Sequence, residues 1–293
     1  MRIILLPRLF RRPRRLMPMV IIALAALSVA YGQSWNLQSS GTGNRLEAVW
    51  FTDPSKGFAV GNAGTSLRTS DGGATWTSFS ISNQDLEDIA FIGGNIGLTV
   101  GDDELIFRTT DGGGSWGQVH GGGRPTLRAV AMGENGRAYA AGDDGLIMLS
   151  TDDGATWTTV ATGTNRYEGA WAWGDMFGWI VGRNGVIMAT TDGGVTWNPQ
   201  TSGTSSDLKN VFFASHLLGW AVGQNSTVIK TTNGGVSWSP SGSGVGFGMH
   251  GVYFTSTSEG WIVGDSGAVY NTTDGGASWQ FEQSGTANEL NDV

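Results

Sequence analysis

One eight-residue phrase recurs along this chain at an almost constant spacing. Its first complete copy, residues 69–76, has the sequence Thr-Ser-Asp-Gly-Gly-Ala-Thr-Trp, and similar copies follow to the end of the chain. Trp35 keeps only the end of the phrase. Successive closing residues are 40 or 41 positions apart, at Trp35, Trp76, Trp116, Trp157, Trp197, Trp238 and Trp279. A period of this length indicates a repeat architecture, in which each repeat forms one supersecondary unit.

Each repeat contains four short segments typical of β-strands. An apolar run such as Leu46–Phe51 is followed by a Gly-aromatic-x-Val-Gly segment, a two-residue polar turn, a third run that ends in the phrase, and a fourth strand after the tryptophan. β-Branched and aromatic residues alternate with glycine-rich turns, and no helical period follows residue 32. Four strands in one such repeat predict a blade of a β-propeller. We therefore predict an all-β chain in which residues 33–293 form a single propeller domain.

The two ends of the repeat region bear on the number of blades. Six copies are complete, and Trp35 matches the end of a seventh blade whose opening strand corresponds to residues 289–293. The two middle strands of that blade have no counterpart. Either a six-bladed ring closes with overlapping ends, or the sequence is a seven-bladed propeller truncated at its C-terminal end. We favour the second interpretation, with six complete blades and a partial seventh.

Residues 1–32 differ from the rest of the chain. Arg11, Arg12, Arg14 and Arg15 precede an apolar run over residues 19–30, and small residues follow. This order is typical of a secretory signal peptide, and the run is shorter than the roughly 20 residues that span a bilayer. We predict export to the periplasm or the extracellular space, or to the thylakoid lumen in a photosynthetic organism. We expect no stable membrane insertion after cleavage.

The charge of the remaining chain excludes some partners. Six of the 17 basic residues and none of the 25 acidic ones precede residue 33, so 11 basic and 25 acidic residues give a net charge of −14. Such a surface repels nucleic acids and anionic lipids. The chain has no cysteine, which excludes disulfides and thiol chemistry. We expect a monomer that binds no nucleic acid.

The recurring phrase resembles the Asp-box, also called the bacterial neuraminidase repeat. The fuller unit, Gly219–Gly223 followed by Ile-Lys-Thr-Thr-Asn-Gly-Gly-Val-Ser-Trp over residues 229–238, is similar to the photosystem II assembly and stability factor family and its non-photosynthetic bacterial relatives. The resemblance covers residues 34–293. It implies a non-catalytic propeller that acts as a protein-binding or assembly scaffold, and the family is known for an arginine-rich patch.

The Asp-boxes themselves are predicted to be structural. Their carboxylates can accept hydrogen bonds from the N–H groups of their own turn, and the tryptophan that follows can pack beneath the turn. The residues concerned are Asp71, Trp76, Asp111, Trp116, Asp152, Trp157, Asp192, Trp197, Asn233, Trp238, Asp274 and Trp279.

The candidate binding site lies in the third and fourth repeats. Arg124, Arg128, Arg166 and Arg183 fall at the loops between blades, on an innermost strand and at a polar turn, and Glu168 is expected nearby at the channel. On an acidic chain these arginines predict a local positive patch that recognises a carboxylate or an acidic segment of another protein.

A ring of polar residues is expected around the central channel. It is formed by the residue that follows the first apolar position of each innermost strand. These residues are Glu47, Glu87, Arg128, Glu168, Lys209 and His250. Such a mixed ring either pairs with itself and with water or binds a ligand or peptide.

The alternative function is a glycan-binding propeller or a sialidase-like glycosidase. That chemistry needs an arginine cluster and a tyrosine nucleophile supported by a glutamate. Only Tyr167 and Glu168 are adjacent, and neighbours on a strand point to opposite faces. We therefore expect no catalysis.

Acidic residues in two of the polar turns could either bind a metal ion or simply face solvent. Calcium is conceivable at the turns of Asp102, Asp103 and Glu104 and of Asp143 and Asp144, but we favour solvated turns. The histidines show no ligand spacing. We expect no metal and no cofactor.

Overall fold

The computed structural model describes residues 35–293, in which all strands belong to six four-stranded antiparallel sheets. Each sheet is formed by four strands that are consecutive in the chain. The first three sheets comprise β1 (Leu46–Phe51), β2 (Gly57–Gly61), β3 (Thr65–Thr69), β4 (Thr77–Ser80); β5 (Leu86–Ile92), β6 (Ile96–Gly101), β7 (Ile106–Thr109), β8 (Gly117–His120); β9 (Leu127–Met132), β10 (Ala138–Gly142), β11 (Ile147–Ser150), β12 (Thr158–Ala161). The other three comprise β13 (Tyr167–Trp173), β14 (Phe177–Gly182), β15 (Ile187–Thr190), β16 (Asn198–Gln200); β17 (Leu208–Phe213), β18 (Gly219–Gly223), β19 (Thr227–Thr231), β20 (Ser239–Pro240); β21 (Met249–Phe254), β22 (Gly260–Gly264), β23 (Ala268–Thr272), β24 (Gln280–Gln283).

The first strands of successive sheets contact one another in chain order around a central channel, as the blades of a propeller do. The predicted all-β propeller with six complete blades is therefore confirmed. Residues 35–45 and 284–293 form no strand, so within the described residues the expected partial seventh blade is not seen as a sheet. No helix of this part of the chain has the length and apolarity needed to cross a membrane. The predicted signal peptide, residues 1–32, lies outside the described residues.

The turns between the second and third strands have three or four residues, rather than the predicted two. In five sheets they form short 3-10 turns whose middle residue has a positive φ, for example 56° at Asn184. Asparagine tolerates this left-handed conformation better than most residues do. The five turns are Asn62–Gly64, Asp102–Glu104, Asp143–Gly145, Arg183–Gly185 and Asp265–Gly267.

The core lies between neighbouring blades. In the fourth and fifth blades, the aromatic residue of the Gly-aromatic-x-Val-Gly segment is buried and stacks on the phenylalanine that ends the first strand of the next blade. The ring centroids of Trp179 and Phe213 are 3.5 Å apart, and those of Trp220 and Phe254 are 3.6 Å apart. Full burial of such a side chain stabilises the fold by about 2–3 kcal/mol. The aromatic position therefore holds these blades against their neighbours.

Each Asp-box forms a tight turn between the third and fourth strands. In the first copy, Asp71 Oδ1 accepts hydrogen bonds from Thr75 N at 2.9 Å and from Thr69 Oγ1 at 2.7 Å, and Thr69 Oγ1 accepts one from Gly73 N at 2.8 Å. Hydrogen bonds led by that from the Thr75 hydroxyl hold the pKa of Asp71 at about 2. Asn233 keeps the same bond to the N–H group four residues later, at 3.0 Å. The turn therefore needs an oxygen acceptor at this position, charged or neutral.

The tryptophan that closes each phrase immediately precedes the fourth strand. In four of the six blades it packs edge-on against a phenylalanine of its own first strand, with interplanar angles of 86° for Phe51 and Trp76 and 80° for Phe254 and Trp279. This contact links the outer and inner parts of one blade.

Candidate binding site at the channel mouth

Each first strand carries a β-bulge where it enters the channel. In β1, Leu46 pairs with Gly61 and Ala48 pairs with Val60, which leaves Glu47 as the extra residue. Because a bulged residue has no partner in the ladder, its side chain is turned away from the regular sheet. The same irregularity occurs in all six first strands, and the extra residues that line the channel are Glu47, Glu87, Arg128, Glu168, Lys209 and His250.

The glycine at the end of each second strand permits a close backbone approach at this rim. A Cβ atom on Gly182 would lie 2.1 Å from the carbonyl oxygen of Arg166, so only glycine leaves room there. That carbonyl accepts a hydrogen bond of 3.0 Å from the N–H group of Arg183. The contact brings Arg166 and Arg183 side by side although a whole hairpin separates them in the sequence.

Three cationic side chains converge on one oxygen atom of Glu168. Its Oε1 lies 2.9 Å from Arg166 Nε, 3.4 Å from Arg183 Nε and 3.6 Å from Lys209 Nζ. The Glu168 side chain is largely buried, whereas that of Arg183 is 47% exposed. Glu168 alone cannot neutralise three cations, and Asp143, the second carboxylate that contacts Arg166, is shared with Arg128, so net positive charge remains at this part of the rim.

Asp143 joins Arg128 to the same network. Arg128 donates to both carboxylate oxygens of Asp143, at 2.9 and 3.0 Å, and Arg166 Nε lies 3.3 Å from Oδ1. Burial opposes ionisation, but the hydrogen bonds and charge of Arg128 hold the pKa of Asp143 below its usual value. The expectation of a simply solvated Asp143 is therefore wrong, because the ring places Arg128 beside it. We call Arg128, Arg166, Arg183 and Lys209 the basic arc.

Another part of the rim is acidic. Burial raises the pKa of Glu87 to about 7, although Arg128 at 3.1 Å opposes the shift, and the charges of Glu47, Asp102 and Asp85 add to it. Burial also raises the pKa of Glu47 despite its ion pair with Arg45. The channel mouth is thus divided into a basic arc and a region where carboxylates repel one another.

Deeper in the channel wall, Asp88 connects two blades. Its Oδ2 accepts a hydrogen bond of 2.8 Å from Val130 N on the next first strand. Asp292 Oδ2 likewise accepts one of 3.0 Å from Val49 N. Burial raises the pKa of Asp88 to about 8, even though N–H donors favour its charged form. Neither residue was among the predicted site residues, because their partners lie on other repeats.

The end of the channel away from the charged rim is apolar. The channel contains a cavity of about 350 Å³, and Trp50, Met132, Trp171 and Tyr253 line it together with the charged residues of the rim. These four residues lie at or near the ends of their strands opposite to the bulges. Their positions in the repeats vary in residue type, so the sequence pattern did not indicate them.

His250 lies between two carboxylates. Its Nε2 is 2.8 Å from Asp265 Oδ1 and 3.2 Å from Glu289 Oε1, and the three candidate ligand atoms lie within 4.8 Å of one another. The sequence showed no ligand spacing here because the three residues come from a strand, a turn and the C-terminal segment. The group has donor atoms that suit a divalent cation, and His250 and Asp265 are hydrogen-bonded to each other.

The structure brings together most of the predicted site. Arg128, Arg166, Arg183 and Glu168 form one network, whereas Arg124 is exposed and has no ion pair or hydrogen bond within residues 35–293. Tyr167 is buried in the core and Glu168 lines the channel, so these neighbours do diverge. This pair therefore does not provide a tyrosine and a glutamate that act together, as in a sialidase.

The sequence model of a family described as photosynthesis system II assembly factor YCF48 matches residues 27–166, 170–242 and 201–280. Among solved structures, one titled YCF48 bound to D1 peptide is 24% identical, with a TM-score of 0.66 and 82% of each chain covered. YCF48 from Cyanidioschyzon merolae is 21% identical, with a TM-score of 0.65, and the match covers 84% of this chain and 87% of that one. No curated protein matches the chain. The two structures share the propeller fold with it.

Proposed function

Because the chain belongs to the photosynthesis system II assembly factor YCF48 family, we propose that it is a non-catalytic scaffold whose basic arc binds an acidic segment of another protein. The convergence of Arg166, Arg183 and Lys209 on Glu168 carries this proposal. A further carboxylate, supplied by a partner, would balance the positive charge that Glu168 and Asp143 leave, and arginine suits it because its planar group can bind both carboxylate oxygens. A YCF48 structure bound to a D1 peptide supports a peptide as the type of partner.

Exposure decides which members of the arc can reach a partner. The side chain of Arg183 is 47% exposed and that of Arg166 is 31% exposed, whereas Arg128 is 16% exposed and held by Asp143. We therefore assign direct contact to Arg166 and Arg183, and the positioning of the network to Arg128 and Glu168. Binding through exposed charges weakens as salt screens them, with a Debye length of about 10 Å at 0.1 M.

Charge removal at the arc tests this function. We expect Arg166→Ala and Arg183→Ala each to weaken the binding of a fluorescent peptide of alternating glutamate and glycine by about tenfold, since a charged hydrogen bond is worth roughly 1.5–3 kcal/mol. Fluorescence anisotropy at low and high salt measures the effect. Arg124→Ala makes the same charge change outside the network and serves as the matched control. Equal weakening by all three variants, or by none, would show that the basic arc is not the binding site.

The proposal includes no catalysis. A glycosidase places two carboxyl groups about 5–9.5 Å apart, one as a proton donor. Glu87, with its pKa of about 7, would suit a proton donor, but the tyrosine of the only adjacent Tyr-Glu pair is buried in the core. Turnover of a fluorogenic sialoside or glucoside that is lost in Glu87→Gln would contradict the proposal.

We also propose that the terminal segments belong to a seventh blade. Trp35 Nε1 donates to Glu282, just as Trp76 and Trp238 donate to Gln38 and Gln200, each three residues after the preceding closing tryptophan. At the other end, Leu290 N donates to Gly264 O at 3.0 Å and Asn291 Nδ2 donates to Leu46 O at 2.7 Å. Asn291 also lines the channel. These contacts support a ring with seven blade positions.

Export and a monomeric state complete the proposal. The pattern of residues 1–32 supports export to the periplasm or the extracellular space, or to the thylakoid lumen where the organism is photosynthetic. Mass spectrometry of the protein from a fractionated cell, together with light scattering of the purified chain, tests both points. A full-length mass in the cytoplasm, or a dimer, would contradict them.

A further inference from the structure

The central channel combines two kinds of surface within one cavity. Arg128 and Lys209 of the basic arc line its rim, and Arg166 and Arg183 lie beside Glu168, which also lines it. Its far end is lined by Trp50, Trp171 and Tyr253, which we call the aromatic end. All three aromatic side chains are only partly buried. Partly buried aromatic surface facing a cavity gains stability when another apolar group covers it. A mixed-charge rim alone does not account for this surface.

The two surfaces are close enough for one ligand to contact both. Glu168 and Trp171 lie on the same strand, β13, three residues apart. At about 3.3 Å per residue this separates the two levels by about 10 Å, the length of three residues of an extended peptide. The cavity of about 350 Å³ lies near the lower end of ligand pockets, which range over about 300–1,000 Å³. It therefore suits a side chain rather than a folded element.

Packing against Phe212 holds two rings of the aromatic end in place. The ring centroids of Trp171 and Phe212 are 4.5 Å apart, and those of Phe212 and Tyr253 are 5.2 Å apart. Ala170 and Ala172, on either side of Trp171, also line the cavity and leave space there. A preformed site loses little conformational entropy on binding.

Building on the proposed function, we propose that the channel takes up an apolar side chain of the bound segment. The partner segment carries an acidic residue that meets the basic arc and, about three residues away, an aromatic or large aliphatic residue that enters the cavity against Trp171 and Tyr253. The charged contact sets where the segment binds, and the apolar contact selects among acidic segments. An acidic segment without such a residue binds only to the rim.

Matched peptides test this inference on the full chain. The probe is a fluorescent peptide containing Glu-Gly-Gly-Phe, compared with one in which alanine replaces the phenylalanine. We expect the alanine peptide to bind about 10- to 100-fold more weakly, as the burial of one aromatic side chain predicts. In Trp171→Ala this preference should fall to about twofold or less. Trp173→Ala removes the same side chain from the same strand outside the cavity, and should keep the preference.

A second variant guards against loss of folding in Trp171→Ala. Met132 lines the cavity together with the aromatic end, and Met132→Gln keeps the side-chain length but makes this part of the wall polar, so it too should reduce the preference for phenylalanine. Equal binding of the two peptides to the unmodified protein would overturn this inference while leaving the proposed function intact. If neither peptide binds and the glutamate-glycine peptide also fails, the proposed function and this inference both fall.

Discussion

At the scale of single residues, one position of the channel wall is an aspartate in one blade and an asparagine in another. Asp88 Oδ1 and Asn210 Oδ1 each accept a hydrogen bond from the next N–H group of their own strand, at 2.8 and 2.7 Å. Asp88 also accepts one from Val130 N of the next blade. The amide at the equivalent position shows that the fold does not need a charge there. The carboxylate therefore adds a dependence on pH that Asn210 lacks.

We expect Asp88→Asn to lessen the loss of stability at alkaline pH. An unfolded aspartate titrates near pH 3.9, whereas the folded pKa is raised to about 8, so the native state binds more protons between these values and stability falls as pH rises through them. Urea unfolding at about pH 5 and about pH 9 measures the difference, with the exposed Asp144→Asn as the control. An equally large loss of stability in Asp88→Asn would contradict the raised pKa.

At the scale of the structural element, the Asp-box depends on a buried hydroxyl as much as on its aspartate. Thr190 Oγ1 donates to Asp192 Oδ1 at 2.8 Å and accepts from Gly194 N at 2.9 Å, and the residue is 1% exposed. Asp192 is partly exposed, so water can replace its partners. The N–H group of Gly194 is buried and has no such replacement. The hydroxyl is therefore the more sensitive part of the turn.

Thr190→Val should lower the free energy of unfolding by about 1–3 kcal/mol, because it leaves the buried N–H group of Gly194 without its acceptor. Valine has nearly the shape of threonine, so cavity formation contributes little. The control is Thr158→Val on the exposed outer strand β12, for which we expect a change within about 0.5 kcal/mol. Denaturant unfolding measures both, and equal effects would show that the hydroxyl is dispensable.

At the scale of the whole molecule, closure of the ring depends on the C-terminal segment. Leu290 is 4% exposed and packs with Trp261, Val263 and Val269 of the sixth blade. Asn291 and Asp292 then bond to β1 of the first blade. The segment thus connects the last blade to the first, whereas the first strands of the other neighbouring blades contact one another directly. The channel wall between the last blade and the first therefore depends on the few contacts of this segment.

Leu290→Ala should destabilise the protein by about 2–5 kcal/mol, as buried leucine truncations do. We expect Leu217→Ala, at a side chain that is 46% exposed, to change stability by less than about 0.5 kcal/mol. Thermal unfolding of both variants measures the difference. A loss no greater for Leu290→Ala than for Leu217→Ala would show that the C-terminal segment does not contribute to closure.

Much of the candidate site was predictable by counting positions within the repeat. The position after the first apolar residue of each repeat gave the six channel residues, and three of the four predicted arginines join one network. The role of Asp143 and the proximity of Glu289 to His250 were not predictable, since each depends on a partner in another segment. For the same reason, the sequence could not predict that Arg124 forms no ion pair or hydrogen bond within the described residues. Position within a repeat predicts the face of a blade, but not the neighbour across a blade boundary.

The sequence by itself determined the blade: its four strands and its Asp-box turn. These follow from local alternation, turn chemistry and a constant period, which act over a few residues. Only the tertiary structure decided which charges share the rim, that three cations meet at Glu168, and that an aromatic end lies beneath them. Those features depend on β-bulges that turn side chains into the channel and on a closed ring that brings distant segments together.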